Sequence, residues 1–397
     1  MKKVIALLLA VLMVLPFAAC GKPEQEDKVK VGFIYLHDEN STYDKNFIDA
    51  AKAACEKLGV DFIEKKNIPE GNECLEAAED LIDHGCNIIF ADSFGHEDYL
   101  IQAAQKYDKV QFLHATGTKA HTQGLENYHN AFASIYEGRY LAGVVAGMKL
   151  NEMIEQGKIK PEEAVMGYVG AFTYAEVMSG YTSFYLGAKS VCPSVTMKVQ
   201  FTGSWYDQTL EAEAAEALIK TYHCVLLSQH ADSMGAPATC EANGIPDVSY
   251  NGSTLAQCPN TYLISSRINW EPYFEYAIKC VIEGKKIDTD WTGTMATESV
   301  LLTELNTKAA AAGTQEKLDQ VKAALAAGTL HVFDTNNFTV NGEKLTSYMA
   351  DVNTDPKYEK DTEAIKDGYF AESLYRSAPY FNVEIDGIEL VNRNYGD

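Results

Sequence analysis

Two runs of alternating strand and helix, set at nearly the same cadence, constrain this chain more than any other feature. In the first half, strand-like apolar runs begin near Val31, Val60, Asn87 and Val110, about 29, 27 and 23 residues apart. In the second half they begin near Val165, Thr196, Cys224 and Asp247, about 31, 28 and 23 apart. Helical patterns fill the gaps at 43–58, 72–84 and 96–107, then at 175–190, 208–221 and 236–243. Connections of that length do not make hairpins; they join parallel strands. The first strand, with Val31, Phe33, Ile34, Tyr35 and Leu36, is apolar almost throughout, as a strand covered on both faces must be. The repeat therefore predicts two similar α/β lobes facing one another. A chain of 397 residues exceeds what one core holds, which agrees.

The amino terminus reads as an export signal. Lys2 and Lys3 precede an apolar stretch, 4–19, and Cys20 follows. That stretch is too short for a membrane span and ends in small residues, as a signal peptide does. The ending Leu15-Pro16-Phe17-Ala18-Ala19-Cys20 resembles a bacterial lipobox, in which the cysteine is acylated; Phe17 departs from the usual aliphatic residue. Residues 1–20 are thus expected to be a signal peptide with lipobox, and 21–28 a polar tether. Without Lys2 and Lys3 the formal charge falls from −23 to −25. Such a charge opposes binding to nucleic acid or anionic lipid. The expectation is an extracytoplasmic body held at the membrane by its lipid alone.

The motifs of common enzymes are missing. No GxxxxGK loop or GxSxG elbow occurs, and Gly167-Tyr168-Val169-Gly170 lacks a dinucleotide fingerprint. His96-Glu97, His114, His121 and His129 do not have metalloprotease spacing, and no Cys/His spacing suggests zinc. No catalytic residue, metal or cofactor is expected. Eight cysteines follow Cys20. Cys55, Cys224 and Cys280 fall in apolar helix or strand positions, where a thiol behaves as a small hydrophobe. The thiols read as mostly free.

Aromatic and polar residues gather where strands end. Tyr43 and Asp44 follow the first strand, Ser93-Phe94-Gly95 the third, and His114-Ala115-Thr116-Gly117 the fourth. In the second half, Phe172, Trp205-Tyr206-Asp207, His230-Ala231-Asp232 and Tyr250-Asn251-Gly252 follow successive strands. In open α/β sheets, ligands bind outside the carboxyl ends of strands. Aromatics from two opposed lobes can clamp a flat ring, each stacked base being worth about 1–3 kcal/mol. Asp232 and Asn251 are then placed to read ring or sugar donors, since a carboxylate accepts and an amide does both.

Several segments together resemble a known family. They include Phe90-Ala91-Asp92-Ser93-Phe94-Gly95, Phe112-Leu113-His114-Ala115-Thr116-Gly117 and Ile135-Tyr136-Glu137-Gly138-Arg139-Tyr140-Leu141-Ala142-Gly143. Later come Trp205-Tyr206-Asp207, Gln229-His230-Ala231-Asp232 and Asn269-Trp270-Glu271-Pro272-Tyr273. With the lipobox, they resemble the basic membrane protein family of substrate-binding lipoproteins, which includes purine nucleoside receptors. The stretch 37–43 departs from the family pattern. The resemblance implies a type I periplasmic-binding-protein fold, two Rossmann-like lobes with a hinge. It implies a monomer that binds a purine nucleoside or nucleobase and delivers it to ABC permease subunits, without cofactor. Tyr43 and Trp205 match the positions that stack on the base, and Asp232 and Asn251 those that hydrogen-bond the ligand. The full set of expected contacts is Tyr43, Asp44, Phe94, Gly95, His114, Phe172, Trp205, Asp232, Asn251 and Trp270, with Cys20 as the lipidation site.

Lobe one is expected over 29–133 plus 268–290, and lobe two over 134–267 plus 291–345, with the hinge near Ser134, Ser266 and Trp291. Residues 346–397 form a C-terminal extension whose aromatics suggest packing on the body. Two other functions fit the same residues: a ligand sensor for a membrane receptor, and a secreted nucleoside-processing enzyme. The second needs a metal cluster or an activated base in the cleft.

Overall fold

The computed structural model describes residues 28–352, 357 and 359–393. The expected signal peptide, Cys20 and the tether up to Asp27 lie outside the described residues.

The first half builds β1 (Lys30–Ile34), α1 (Thr42–Leu58), β2 (Asp61–Lys65), α2 (Asn72–Asp83), β3 (Ile88–Ala91), α3 (Glu97–Lys106), β4 (Gln111–Ala115), α4 (Ala120–Gln123) and β5 (Tyr128–Ala133). The chain then crosses over to build α5 (Ile135–Glu155), β6 (Val165–Gly170), α6 (Ala175–Val191), β7 (Thr196–Phe201), α7 (Gln208–Lys220), β8 (Leu226–His230), α8 (Gly235–Asn243), β9 (Asp247–Tyr250) and β10 (Tyr262–Ile268). It returns for α9 (Glu271–Ile282) and β11 (Asp290–Gly293), and crosses a third time for β12 (Val300–Leu302) and α10 (Thr314–Ala326).

One sheet has the order β2-β1-β3-β4-β5-β11, all parallel. The other runs β7-β6-β8-β9-β10-β12, antiparallel only at β12. The sheets share one plan, as the repeated cadence predicts. The stretch 291–302 is not one strand. Its first half pairs with β5 in the first sheet and its second half with β10 in the other, so the first sheet runs on to Gly293. The crossings lie side by side: Ser134 N–H donates to the Gly293 carbonyl at 2.8 Å, and Asn269 N–H to that of Ser299 at 2.8 Å.

Local chemistry explains the elements. Ser41 caps α1 by accepting from the Asp44 N–H at 3.2 Å, and Gly59 ends it in the left-handed region at φ 66°. Phe47, Ala51, Ala54 and Cys55 turn one face of α1 into the first core. The helices α5 and α6 touch backbone to backbone. A Cβ on Gly143 would lie 2.0 Å from the Phe184 carbonyl oxygen, and one on Gly187 2.0 Å from that of Tyr140. The eight cysteines after Cys20 are all unpaired and buried.

The C-terminal segment is part of the second lobe. Phe333, Phe370 and Phe381 join the core formed by α5 and α6. The strand Ile388–Leu390 extends the second sheet by pairing in parallel with β7. No helix among the described residues is long and apolar enough to cross a membrane.

Candidate functional site between the lobes

In each sheet the strand order turns back beside a central strand: β1 lies between β2 and β3, and β6 between β7 and β8. The crevice outside such a switch point is where α/β sheets bind ligands. Here the two crevices face each other and the lobes touch. The Thr42 N–H donates to the Asp232 carbonyl at 3.1 Å, and the Asn46 amide to the Asn251 carbonyl at 2.8 Å. The rings of Phe94 and Tyr174 meet across the cleft at 5.0 Å, and those of His37 and Tyr206 at 5.3 Å.

Between them lies a cavity. Six of the ten expected contacts line it: Tyr43, Asp44 and Phe94 from the first lobe, Trp205, Asp232 and Asn251 from the second. Tyr43 projects from the first turn of α1. Its hydroxyl donates to the Asp92 carbonyl at 2.7 Å and its ring lies edge-on to Phe47 at 4.8 Å. Trp205 sits in the loop between β7 and α7, with its carbonyl accepting the Asp232 N–H at 2.9 Å. The Asn251 amide donates to Asp232 Oδ1 at 3.2 Å, which ties the two edge groups together.

Four expected residues lie outside the cavity lining. Phe172 packs behind Trp205, ring centroids 5.0 Å apart. The Gly95 N–H donates to Glu70 Oε1 at 2.8 Å, so it fixes the loop after β3. His114 is buried, with Nε2 2.8 Å from the Ser93 carbonyl; burial pushes it down to about 3, so its ring stays neutral. Trp270 stacks on Phe47 at 4.5 Å inside the first core. It starts α9, which follows a strand of the second sheet but packs on the first lobe, and so faces away from the cleft.

The cavity also takes His37, Thr116, Glu176, His230 and Tyr250. His230 sits in a segment that resembles the family, Tyr250 ends β9 beside Asn251, and His37 opens the stretch after β1 that departs from the family pattern. Glu176, in the first turn of α6, had no such signal. Thr116 holds φ 65°, uncommon for a β-branched residue. The next position must be glycine: a Cβ on Gly117 would lie 2.0 Å from the Asn130 amide.

Carboxyls in the walls (Asp44, Asp232) and just behind them (Asp92) are shifted in opposite directions. Burial alone would raise Asp44, but hydrogen bonds from His37 and Ser41, at 2.8 and 2.6 Å, outweigh it and hold the group below the usual range. Burial and the nearby Asp44 charge push both Asp92 and Asp232 well above it. The shift favours the protonated form of Asp232, which can donate as well as accept, whereas an ionised carboxylate only accepts. Burial pushes His230 down, and its Nε2 faces Glu176 Oε1 across 3.6 Å without a hydrogen bond. The lining contains no lysine or arginine. Among the described residues, no group of three or more His, Cys, Asp or Glu is placed to hold a metal.

Residues 30–328 match the Bmp family, described as PnrA-like ABC transporter substrate-binding proteins. The chain belongs to that family. A purine-binding protein of Brucella abortus is 33% identical over 283 residues, covering 70% of this chain and 76% of its own. A putative ABC transporter glucose-binding protein of Haloferax volcanii is 29% identical over 308 residues, covering 76% and 73%. Among solved structures, a solute-binding protein of an ABC transporter from Aeropyrum pernix superposes with a TM-score of 0.64 at 16% identity, covering 77% of this chain and 93% of that one. The fold is that of type I periplasmic-binding proteins. This substrate-binding protein is not an enzyme: its family takes up a small molecule outside the cytoplasm and works with permease subunits.

Proposed function

We propose that the ligand is a purine, as free base or nucleoside, held between Tyr43 and Trp205. The observation that carries this reading is that these two aromatics reach one cavity from opposite lobes, with Asp232 and Asn251 tied together beside them. Stacking supplies affinity for any purine. Selectivity comes from the edge: Asp232, whose protonated form burial favours, the Asn251 amide and His230 Nε2 match the mixed donors and acceptors of a purine rim. Asp44 and Glu176, without a cation in the lining, repel a phosphate and so disfavour nucleotides. The Brucella relative's description as purine-binding supports the same class. The run ending at Cys20 supports a lipid anchor that keeps this receptor beside its permease, and a single chain presents the whole site.

Calorimetric titration with adenine, guanine, adenosine and guanosine tests the clamp. Trp205→Ala should weaken every purine that the parent binds by about 1–3 kcal/mol, to a similar extent. Undiminished binding in that variant means that Trp205 packs only on Phe172 and Tyr174 and stacks on no ligand.

A further inference from the structure

Arg139 belongs to the segment Ile135–Gly143 that resembles the family, but it does not line the cavity. It leaves α5 for the second core, where it is fully buried over the rings of Tyr250 and Phe184, at 4.8 and 5.1 Å. Its Nη2 donates to the Tyr168 hydroxyl at 3.0 Å and to Ser228 Oγ at 2.8 Å. Both hydroxyls lead onward. Ser228 Oγ donates to the Val248 carbonyl at 2.6 Å, and the Tyr168 hydroxyl lies 3.3 Å from His230 Nδ1. His230 ends β8 and is itself buried, yet its ring lines the cavity and its Nε2 has no hydrogen-bond partner. The ring is held in place: that of Tyr250 lies 4.5 Å from it, and a Cβ on Gly180 of α6 would come within 2.5 Å of Nδ1.

We infer that His230 is a specificity-determining donor: Arg139 and Tyr168 fix its proton on Nε2, so the site demands a hydrogen-bond acceptor on the ligand there, an unprotonated ring nitrogen or a carbonyl oxygen. The inference rests on the purine reading of the cavity. Hydrogen-bond direction carries it. A guanidinium has only donors. The Tyr168 oxygen therefore accepts from Arg139, and its own proton goes to His230 Nδ1. An Nδ1 that accepts is unprotonated, and a neutral imidazole then carries its proton on Nε2. Burial, against the pull of Glu176, pushes His230 down and so favours the neutral ring. Glu176 Oε1 stands 3.6 Å from Nε2, too far to satisfy it. A ligand acceptor is thus the partner that this buried N–H lacks. A ligand without one leaves the N–H unpaired, which costs more than the loss of an ordinary contact. Arg139 and Tyr168 act only through His230 and are positioning residues.

Nitrogen NMR of the full chain, isotope-labelled at histidine, reads the proton directly. His230, identified by the signals lost in His230→Gln, should show a protonated Nε2 and a bare Nδ1. A protonated Nδ1 overturns the inference and leaves the purine reading untouched. In Tyr168→Phe the proton should spread to Nδ1; an unchanged spectrum overturns the positioning role. Calorimetry reads the ligand side. The probes are adenine and guanine, with analogues that each replace one ring nitrogen by C–H or lack the carbonyl oxygen. At least one such change should cost the parent about tenfold or more in affinity, and His230→Leu should reduce that penalty to within about twofold. Should His230→Leu not fold, a smaller penalty in Tyr168→Phe reads the same contact. A parent that binds every analogue like its base overturns the donor role, as does a His230→Leu that keeps every penalty. A parent that binds neither adenine nor guanine overturns the purine reading and the donor's part in it, whatever the spectrum shows.

Discussion

Glu372 and Asp232 are carboxyls that the fold pushes toward the protonated form, and burial is the largest cause in both. Glu372 is pushed from 4.5 to about 8 by burial. One oxygen accepts the Tyr380 N–H at 2.9 Å and the other has no hydrogen-bond partner. Below 4.5 the folded and unfolded chains both hold the proton. Between 4.5 and about 8 the unfolded chain has released it and the folded chain has not, so rising pH erodes stability across that window. Glu372→Gln should flatten the fall in melting temperature over that window, read by thermal melts at several pH values. An unchanged pH profile would mean that Glu372 is ionised in the fold. At this scale the sequence shows where strands end but not which way a side chain turns. Tyr43, Trp205, Asp232 and Asn251 fall at strand ends and reach the cavity. Trp270 meets the same rule and is buried in a core, because its helix packs on the lobe that its strand does not belong to. His114 and Gly95 are spent on holding loops.

The crossing of α5 and α6 gives a physical reason for part of the segment Tyr136–Gly143 that carries the family resemblance. Gly143 and Gly187 admit the partner backbone, and a Cβ at Gly147 would lie 2.4 Å from the Ala188 carbonyl oxygen. Because backbone rather than a flexible side chain stands in the way, Gly143→Ala must part the helices. A loss of about 1–3 kcal/mol is expected from overpacking, measured as a lower midpoint in urea; an unchanged midpoint would show that the helices yield freely. Strand cadence is legible because parallel βα units repeat an apolar pattern, but β5 has none. Its sequence, Tyr128-His129-Asn130-Ala131-Phe132-Ala133, is buried throughout yet carries two polar residues. They are satisfied internally: His129 lies 3.0 Å from the Asp288 carbonyl and 2.9 Å from Gln111, and Asn130 accepts the Ala120 N–H at 2.8 Å. The strand Ile388–Leu390 is too short to show a period, which is why the sequence offered no place for the tail.

As a whole, the molecule is two sheets of one plan joined by three adjacent crossings, with a C-terminal segment that is part of the second lobe. Release of a ligand requires the lobes to part at Thr42–Asp232 and Asn46–Asn251, and a bound ring favours the joined form by touching both sides. The proposed lipid anchor has a test of its own. Cys20→Ser should move the protein from the membrane fraction to soluble or unprocessed forms, and detergent-dependent membrane association that persists in the variant would exclude the lipid anchor. The ligand itself is the most direct test. Protein purified without added ligand, denatured, and its released small molecules weighed by mass spectrometry, should yield a purine base or nucleoside close to one per chain. A sugar at that stoichiometry, with no purine present, would contradict the clamp of Tyr43 and Trp205 as a purine site.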